Sequence, residues 1–532
     1  MPSTKKLLSI TNLKKYFPIA KSSIFQRQQY YVKANEDISL DIYEGETLGI
    51  VGESGCGKST LGRVLLQLYE QTAGTTMYYG MSRAELAPRY VTDTLRHAKR
   101  YISRLHAAQA RADAASAKVS QLGEAATFFD LQNKNLAVAE YQTAQAHIAK
   151  ILGGFLVRDT EQGAALLYRK ARLEERAAAL SDRIRDIELM LDEAEGGTAD
   201  DGKPANASQL ARLKGRCDRL TRERDGLNAQ IREAEQSIAA IKQVHRDDVE
   251  FQRYEAMLDD GIDLARLKYS EMRILRKDLQ IIFQDPYSSL NPRFTIGQII
   301  EEGLVTHKFF RHGSPKMREH VVRTMKECGL QEYMLFRYPH QFSGGQRQRI
   351  SIARALAVHP KFVVCDECVS ALDVSIQSQI INLLQELKQK EHLTYMFISH
   401  DLSVVRYISD RICVMYLGNV VELADAATVF GDPRHPYTVA LLSSIPTTDM
   451  ESLKKERILL EGSIPSPVKP PDGCKFHTRC WMACDKCRRV PPPLAEIEPG
   501  HFVACHFPER KLDENGNYLF EMPKTEKKSA KE

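Results

Sequence analysis

The stretch LGIVGESGCGKSTLGRVLL, residues 48–66, constrains the fold of this chain more than any other. The apolar run ETLGIV predicts a short buried strand, and STLGRVLLQLY has the apolar spacing of a helix. The glycines between them follow the pattern G-x-x-x-x-G-K-[ST], which lets backbone N–H groups approach a phosphate at the helix N-terminus. This order predicts an α/β domain with a phosphate-binding loop.

The pattern predicts how the loop binds a nucleoside triphosphate and Mg²⁺. Lys58 is expected to reach the β- and γ-phosphates, and the Ser59 hydroxyl to bind Mg²⁺. A glycine-rich structural turn is the alternative, and the flanking strand and helix argue against it. The predicted nucleotide site comprises the whole loop: Gly52, Glu53, Ser54, Gly55, Cys56, Gly57, Lys58, Ser59 and Thr60.

Hydrolysis of a bound nucleotide also needs an aspartate for Mg²⁺ and a group that activates water. The stretch KFVVCDE supplies both, because Asp366 ends an apolar strand run and Glu367 follows it as a candidate general base. In HQFSGGQRQRISIARAL, a second helix begins at Ser343, Gly344 and Gly345 and can bind another anion. One nucleotide cannot easily use both loops of one chain, which indicates that two chains share each ATP.

The order of GESGCGKST, IIFQDP, FSGGQRQR, VVCDE, SALD and ISHD resembles that of ABC-type ATPases. The resemblance implies that Gln284 links the γ-phosphate to a transmembrane partner and that His400 is the switch histidine. It places Asp373 at the interface with a second ATPase, whose ATP is capped by the signature residues Ser343, Gly344, Gly345 and Gln346.

Further roles follow from the same resemblance. The expected catalytic residues are Glu367, His400 and Gln284, and the expected Mg²⁺ ligands are Ser59, Gln284 and Asp366. An aromatic ring near the start of the chain, in LKKYF, is expected to stack on adenine. Its spacing from Leu13 favours Phe17, with Tyr16 as the alternative.

A narrower resemblance, to the ATP-binding subunits of oligopeptide/dipeptide importers, rests on PYSSLNPR, HPYTVALLSSIP and GSIPSPVKPPDGCKFHTRC. It implies the second of two paired ATPase subunits, which hydrolyse ATP in a head-to-tail dimer to drive uptake of peptides or a related small solute. The implied partners are the paired ATPase, two membrane permeases and an external substrate-binding protein. Cys368 departs from the family, which usually has proline after the glutamate; activity is expected to survive.

Charge and hydropathy argue against nucleic-acid binding, a membrane-spanning segment and secretion. Because 74 basic residues nearly balance 69 acidic ones, no surface that tracks a nucleic acid is expected. No run approaches 18 apolar residues, and the first residues lack the apolar core of a signal peptide. The predicted location is therefore the cytoplasmic face of the cell membrane, reached through the permeases. A coiled-coil ATPase of DNA maintenance or repair is the rival function, and the position of the coil before Gln284 argues against it.

A long helical insertion is predicted between the phosphate-binding loop and Gln284. Two stretches have apolar residues that step by alternating fours and threes, which predicts an antiparallel coiled coil around the breaker EGGTADDGKPA. The first seam is Leu173, Ala177, Leu180, Ile184, Ile187, Leu191 and Ala194. The second seam is Leu210, Leu213, Cys217, Leu220, Arg224, Leu227, Ile231, Ala234, Ile238 and Ile241.

The predicted fold is an α/β ABC-type P-loop ATPase domain, interrupted by the α-helical coiled-coil insertion and followed by a small cysteine-containing C-terminal domain. The boundaries follow from where the family resemblance stops and resumes. The ATPase domain is expected at residues 1–80 and 263–430, the insertion at 81–262, the C-terminal domain at 431–510 and a charged tail at 511–532.

Four cysteines lie within CKFHTRCWMACDKC, and a fifth follows in HFVACHF. Eleven cysteines, six of them scattered singly, argue against a disulfide framework and favour metal binding. Zinc fits four thiolates at such spacings, and unmetallated buried thiols are the alternative. The family's tail, which resembles G-C-x-F-x-x-R-C, implies the ligands Cys474, Cys480, Cys487 and Cys505, with Cys484 as an extra thiol. It also implies a [4Fe–4S] cluster there, with zinc as the alternative.

Overall fold

The computed structural model describes residues 5–21, 28–195, 207–445 and 458–508. Its strands form two sheets and are, in chain order, β1 (Lys6–Pro18), β2 (Tyr31–Tyr43), β3 (Thr47–Val51), β4 (Ala73–Tyr78), β5 (Ile262–Asp263), β6 (Leu279–Ile282), β7 (Phe362–Asp366), β8 (Thr394–Ile398), β9 (Arg411–Tyr416), β10 (Asn419–Asp425), β11 (Ala495–Glu498) and β12 (His501–Val503).

The larger sheet has the strand order β11-β12-β10-β9-β3-β8-β7-β6. The strands from β9 to β6 in this order run parallel to one another, and β10, β12 and β11 add an antiparallel edge. Strands β3, β7 and β8 are buried along their whole length, as expected of parallel strands that have both faces covered. The smaller sheet is antiparallel, in the order β2-β1-β4-β5.

The helices fall into three groups along the chain. One helix, α1 (Lys58–Leu65), follows β3. Between β4 and β5 lie α2 (Arg83–Leu86), α3 (Arg89–Arg96), α4 (Ala98–Leu122), α5 (Phe128–Leu152), α6 (Thr160–Glu195), α7 (Ala207–Val244) and α8 (Val249–Glu255). After β5 come α9 (Tyr269–Leu275), α10 (Pro286–Ser289), α11 (Ile296–Thr306), α12 (Pro315–Glu327), α13 (Gly344–Leu356), α14 (Val374–Glu391), α15 (Leu402–Ile408), α16 (Ala426–Gly431), α17 (Pro436–Ser443) and α18 (Asp485–Arg489).

Two apolar cores cover the two faces of the larger sheet. On one face, α1 is packed between the two sheets, with Leu61 and Val64 fully buried. On the other face, helices α11 to α15 pack against β7 and β8 around residues such as Ile350, Ile380 and Leu384. The larger sheet is thus covered on both sides, and its strand ends are left to carry polar side chains.

The helices α2 to α8 leave and rejoin the smaller sheet at one point. Strand β4 ends where β5 begins, because Tyr78 pairs with Ile262 and Met77 pairs with Asp263 in an antiparallel ladder. Two hydrogen bonds cross this junction: the Tyr79 hydroxyl donates to Asp259 at 3.0 Å, and the Tyr90 hydroxyl accepts from Asp263 N at 2.9 Å. The helices α2 to α8 therefore connect two paired antiparallel strands, as a hairpin turn would in a shorter chain.

The two longest helices, α6 and α7, pack along each other. Their shared apolar cluster consists of Leu173, Ala177, Leu180, Ile184, Ile187, Leu220 and Leu227, with Leu191, Leu213, Cys217 and Ile231 partly buried beside it. All of these belong to the two seams expected from the sequence. Residues 196–205 of the predicted breaker lie outside the described residues, as does the predicted tail at 511–532.

The helix α5 also packs against the smaller sheet. The amide of Gly74 in β4 donates to the Thr143 hydroxyl at 2.8 Å, and the Gln132 side chain donates to the Gln29 carbonyl at 3.1 Å. Farther out, Lys308 and Asp186 form an exposed ion pair at 3.5 Å, which contributes little to stability. The helices α2 to α8 are thus joined to the smaller sheet through α5 as well as at the junction of β4 and β5.

No helix in the described parts of the chain is both long enough and apolar enough to cross a membrane.

The junction at Tyr78 and Ile262 generates a prediction about stability. Replacing residues 81–260 with a short Gly/Asn turn should leave both sheets intact, because a hairpin turn joins paired antiparallel strands without strain. We expect a monomeric product with one cooperative thermal transition, followed by circular dichroism. A variant lacking only residues 160–245 is the control, because it keeps α5 against the sheet. An aggregated product from the larger deletion, with the control folded, would show that α5 is required by the sheet.

Candidate functional site

The loop between β3 and α1 has the geometry that the sequence pattern predicts. A Cβ atom added to Gly52 would lie 2.2 Å from the Met415 carbonyl oxygen, and one added to Gly57 would lie 2.1 Å from the Ala34 carbonyl oxygen. Both glycines have positive φ, at 150° and 101°, so larger residues cannot take their places. The Lys58 ammonium is buried under the loop, and it donates to the Gly52 carbonyl at 2.8 Å.

Two predicted Mg²⁺ ligands meet although they are 307 residues apart in sequence. The Ser59 hydroxyl at the start of α1 donates to Oδ1 of Asp366 at 2.5 Å. Asp366 ends β7 and is 2% exposed. Arg63, which the sequence analysis did not single out, holds the other carboxylate oxygen at 3.4 Å. Hydroxyl and carboxylate oxygens are the ligands that Mg²⁺ prefers.

The three predicted catalytic side chains are also brought together. Gln284 donates to Oε2 of Glu367 at 2.9 Å, and Nδ1 of His400 lies 3.6 Å from the same oxygen. These residues follow β6, β7 and β8, and the carboxyl ends of adjacent parallel strands meet at one edge of a sheet. Glu367 has a φ of 48°, which is unusual outside glycine and is held by a bond from its amide to the Ile398 carbonyl at 3.0 Å.

The signature residues lie at the N-terminus of α13, beside α14. Ser343 caps the helix: its hydroxyl accepts from the Gln346 amide at 3.3 Å, and the Gln346 side chain accepts from the Ser343 amide at 3.2 Å. Ser343 and Gly344 are exposed, and so is Asp373, the residue just before α14. Within the described parts of the chain, no hydrogen bond joins residues 343–346 to the loop at 52–59. Ser343 and Gly344 therefore lie at the surface, while the amides of Ser343 and Gln346 are used by the cap itself.

The two candidates for the adenine-stacking ring lie in different surroundings. Tyr16 is 4% exposed, and its hydroxyl donates to Glu36 at 2.6 Å. Burial and the nearby Glu36 carboxylate raise the pKa of Tyr16 well above its usual range. Phe17 is half-buried, with Tyr69 edge-on at 5.4 Å between ring centroids. Phe17 is therefore the more accessible ring of the two.

Four of the five C-terminal cysteines line one small cavity: Cys474, Cys480, Cys487 and Cys505. Cys484 is not among its lining residues, but its sulfur lies 3.8 Å from that of Cys487. Burial raises the pKa of Cys480 to about 12 and that of Cys505 to about 11. Among the described residues, no group of three or more His, Cys, Asp or Glu side chains is arranged to hold a single metal ion.

Residues beside this cavity contact the phosphate-binding loop, which sequence reasoning missed. Arg479 forms two hydrogen bonds to the Glu53 carboxylate, at 2.7 and 3.0 Å. The Glu53 amide donates to the Tyr437 hydroxyl at 2.8 Å. The only sequence signal was the arginine next to Cys480 in the cysteine-rich tail, and nothing in its spacing pointed to a loop 426 residues away.

Two family profiles match this chain. The profile of the ABC transporter family matches residues 35–154 and 221–370, and that of the oligopeptide/dipeptide transporter C-terminal region matches residues 421–487. The first covers the loop, Gln284, the signature and the Asp366–Glu367 pair. The second covers Arg479 and three of the four cavity cysteines.

Individual relatives agree with the profiles. The chain is 53% identical over 248 residues to the putative oligopeptide transport ATP-binding protein YkfD of Bacillus subtilis (strain 168), covering 46% of this chain and 75% of the relative. It is 52% identical over 254 residues to the oligopeptide transport ATP-binding protein AppF of the same organism, covering 47% and 76%. A putative peptide import ATP-binding protein of Brucella ovis is 52% identical over 247 residues, covering 46% and 77%.

These matches give no support to a DNA-maintenance ATPase, the rival function left by the sequence analysis. They agree with the meeting of Ser59 with Asp366 and of Gln284 with Glu367, which is the arrangement that ATP hydrolysis needs. The chain belongs to the ATP-binding proteins of the ABC transporter family and is an ATP-hydrolysing transport ATPase.

Proposed function

We propose that this chain is the second of two paired ATPase subunits that drive the import of peptides, or of a related small solute, through membrane permeases. The observation that carries the proposal is the cluster of Gln284, Glu367 and His400 next to the Ser59–Asp366 contact. The names of the relatives, which refer to oligopeptide transport and peptide import, supply the substrate class. Uptake of a labelled tripeptide by cells with and without the gene tests this substrate class directly.

In the proposed reaction, Lys58 and the amides of its loop bind the β- and γ-phosphates. Ser59, Asp366 and Gln284 would hold Mg²⁺, which when bound would supply positive charge against the phosphate oxygens. Glu367 accepts a proton from the attacking water, and its carboxylate is oriented by Gln284 at 2.9 Å. His400, with Nδ1 3.6 Å from the same oxygen, positions the water and the γ-phosphate.

The exposure of Ser343 and Gly344 supports a head-to-tail dimer. The amides at the N-terminus of α13 have an anion-binding geometry, and α13 has thirteen residues. We infer that residues 343–346 of one chain cap the ATP bound by the Lys58 loop of the other, with Asp373 at the interface. The paired subunit is a related but distinct ATPase.

The remaining proposed partners are two permeases and an external substrate-binding protein, with no nucleic acid. Gln284 is the proposed link to the permeases, because it contacts Glu367 and precedes the exposed stretch that contains Tyr287 and Phe294. The proposed location is the cytoplasmic face of the membrane, where ATP and the permease surface are both available.

We also infer a division of the chain into an ABC ATPase domain at residues 1–80 and 263–430, an insertion at 81–262 and a C-terminal domain at 431–510. The pairing of Tyr78 with Ile262 supports an insertion that begins after β4 and ends just before Ile262, which itself belongs to β5. The apolar cluster between α6 and α7, with its seven-residue repeat, supports a coiled coil. Hydrolysis itself is not expected to require the insertion, because its two ends meet at the paired strands β4 and β5.

The four cavity cysteines are the proposed ligands of a [4Fe–4S] cluster. Sulfurs bound to one tetrahedral zinc ion lie about 3.8 Å apart, since each Zn–S bond is about 2.3 Å. The pair at that separation includes Cys484, which does not line the cavity. The four cysteines that line one cavity are the four that the family's tail implies, and four thiolates are the usual ligand set of such a cluster. The cluster would cross-link the C-terminal region, with a structural role, since ATP-driven transport transfers no electron.

The catalytic assignment predicts the behaviour of Glu367→Gln. The amide cannot accept a proton from water, so we expect the rate of ATP hydrolysis to fall by about 100-fold or more. ATP affinity should stay unchanged, because the loop and Mg²⁺ ligands are intact. Steady-state phosphate release and titration with a fluorescent nucleotide measure the two quantities. Glu391→Gln, far from the strand edge, is the control; a Glu367 variant that hydrolyses ATP like the control would refute the assignment.

The adenine assignment predicts opposite results for two neighbours. Phe17→Ala should weaken ATP binding by about tenfold, the loss expected from one base–aromatic stack. Tyr16→Phe removes the hydroxyl bond to Glu36 and should leave ATP affinity unchanged. Binding of a fluorescent nucleotide measures both variants. Unchanged affinity in Phe17→Ala, together with weak binding in Tyr16→Ala, would transfer the role to Tyr16.

The cluster assignment predicts the colour of the protein. Anaerobically purified protein should be brown and contain about four irons per chain. Cys480→Ser should abolish both the colour and the iron. Cys484→Ser, the matched control, should change neither. A colourless wild-type protein with one zinc per chain would assign the site to zinc instead.

A further inference from the structure

An acidic side chain, Glu53, lies within the phosphate-binding loop. A carboxylate at this position opposes the binding of an anionic nucleotide, because like charges a few ångströms apart repel each other. Two residues earlier, at Val51, the loop leaves a buried strand, so Glu53 cannot move far from the phosphate site. The loop therefore needs a means of cancelling this negative charge.

The cancelling charge comes from the C-terminal region. Both terminal nitrogens of Arg479 donate to the Glu53 carboxylate, at 2.7 and 3.0 Å, which is the strongest geometry of an arginine–carboxylate pair. The Arg479 side chain is 6% exposed, so water screens this pair only weakly. Arg479 also lies over the ring of Tyr416, 6.0 Å from its centroid.

The backbone of Glu53 is held as firmly as its side chain. Its amide donates to the hydroxyl of Tyr437, which is fully buried. Its carbonyl accepts from the Lys58 ammonium at 3.2 Å, so that the loop, its lysine and the C-terminal region form one connected network. Phe476, at 5.4 Å from the Tyr437 ring, packs the network against the segment that carries Arg479.

We propose that Arg479 is a positioning residue of the nucleotide site: it neutralises Glu53 and turns its carboxylate away from the phosphates of ATP. The C-terminal region thereby completes the phosphate-binding loop. This inference rests on the proposed nucleotide site at Lys58. Because Arg479 directly precedes Cys480, which lines the thiol cavity, the loop and the cavity are joined through one peptide unit.

The proposal predicts a specific order among three variants. Arg479→Gln leaves the Glu53 carboxylate uncompensated, so we expect the KM for ATP to rise about tenfold with kcat within about threefold of wild type. Glu53→Gln removes the repulsive charge, so its KM for ATP should lie well below that of Arg479→Gln. The double variant should return to the KM of Glu53→Gln. A purely structural role would make the double variant at least as impaired as Arg479→Gln.

Salt gives an independent readout. Repulsion between Glu53 and ATP is screened by ions, so the ratio of KM values between Arg479→Gln and wild type should shrink from low to high ionic strength. A loss of loop structure would leave this ratio unchanged. Arg479→Lys retains the positive charge and should raise the KM less than Arg479→Gln does. This variant also allows the test to be made if Arg479→Gln does not fold.

Two further variants separate this inference from the proposed function. Arg434→Gln breaks the pairs of Arg434 with Asp432 and Glu498 in the same region, does not touch the loop, and should retain the wild-type KM. Lys58→Ala should abolish ATP binding, measured with a fluorescent nucleotide. If it binds ATP normally, the proposed nucleotide site is wrong. If it fails to bind ATP while Arg479→Gln retains the wild-type KM, only the present inference is overturned.

Metal content and thermal unfolding are measured for each variant. We expect Arg479→Gln and Glu53→Gln to retain the metal content of the wild type, because neither residue is a proposed ligand. A rise in KM that appears only in variants that have lost metal would assign the effect to the cysteine site and contradict the proposal.

Discussion

The contact between Ser59 and Asp366 is the one on which the rest of the site depends. It joins the start of α1 to the end of β7, two strands away from β3 in the larger sheet. Parallel strands place all their carboxyl ends at one edge, so this register also brings Gln284 and His400 to Glu367. A shift of β7 by one residue would turn Asp366 away from Ser59 and would also separate Glu367 from Gln284 and His400.

The sequence signals that mark this edge are local, which is why the residues that meet there could be named in advance. Glycines at 52 and 57 mark a loop that only glycine can form, and an apolar run ending in Asp366 marks the end of a buried strand. Local signals of this kind need no knowledge of distant contacts. The seams of α6 and α7 were readable for the same reason, since a heptad repeat is visible in one segment at a time.

Contacts between distant segments were not predictable in this way. Arg479 and Tyr437 contact Glu53 across hundreds of residues, and neither lies in a pattern whose spacing points to the loop. The packing of α5 on the smaller sheet was missed because its contacts involve single polar side chains, Gln132 and Thr143, without apolar periodicity. Such contacts depend on how folded units dock, which the periodicity of one segment does not encode.

The separation of β3 from its neighbours has a consequence for folding during synthesis. The amide of Gly45, just before β3, donates to the hydroxyl of Thr394 in β8, 349 residues later. At about 5–20 residues per second, a ribosome needs roughly 20–70 s to make that stretch. Helices α3 to α7, whose contacts are local, can fold in this interval. The apolar strand TLGIV remains unpaired during it, because its neighbours β8 and β9 have not yet been synthesised. The insertion therefore prolongs the exposure of an aggregation-prone strand, and chaperone binding to the nascent chain should concentrate there.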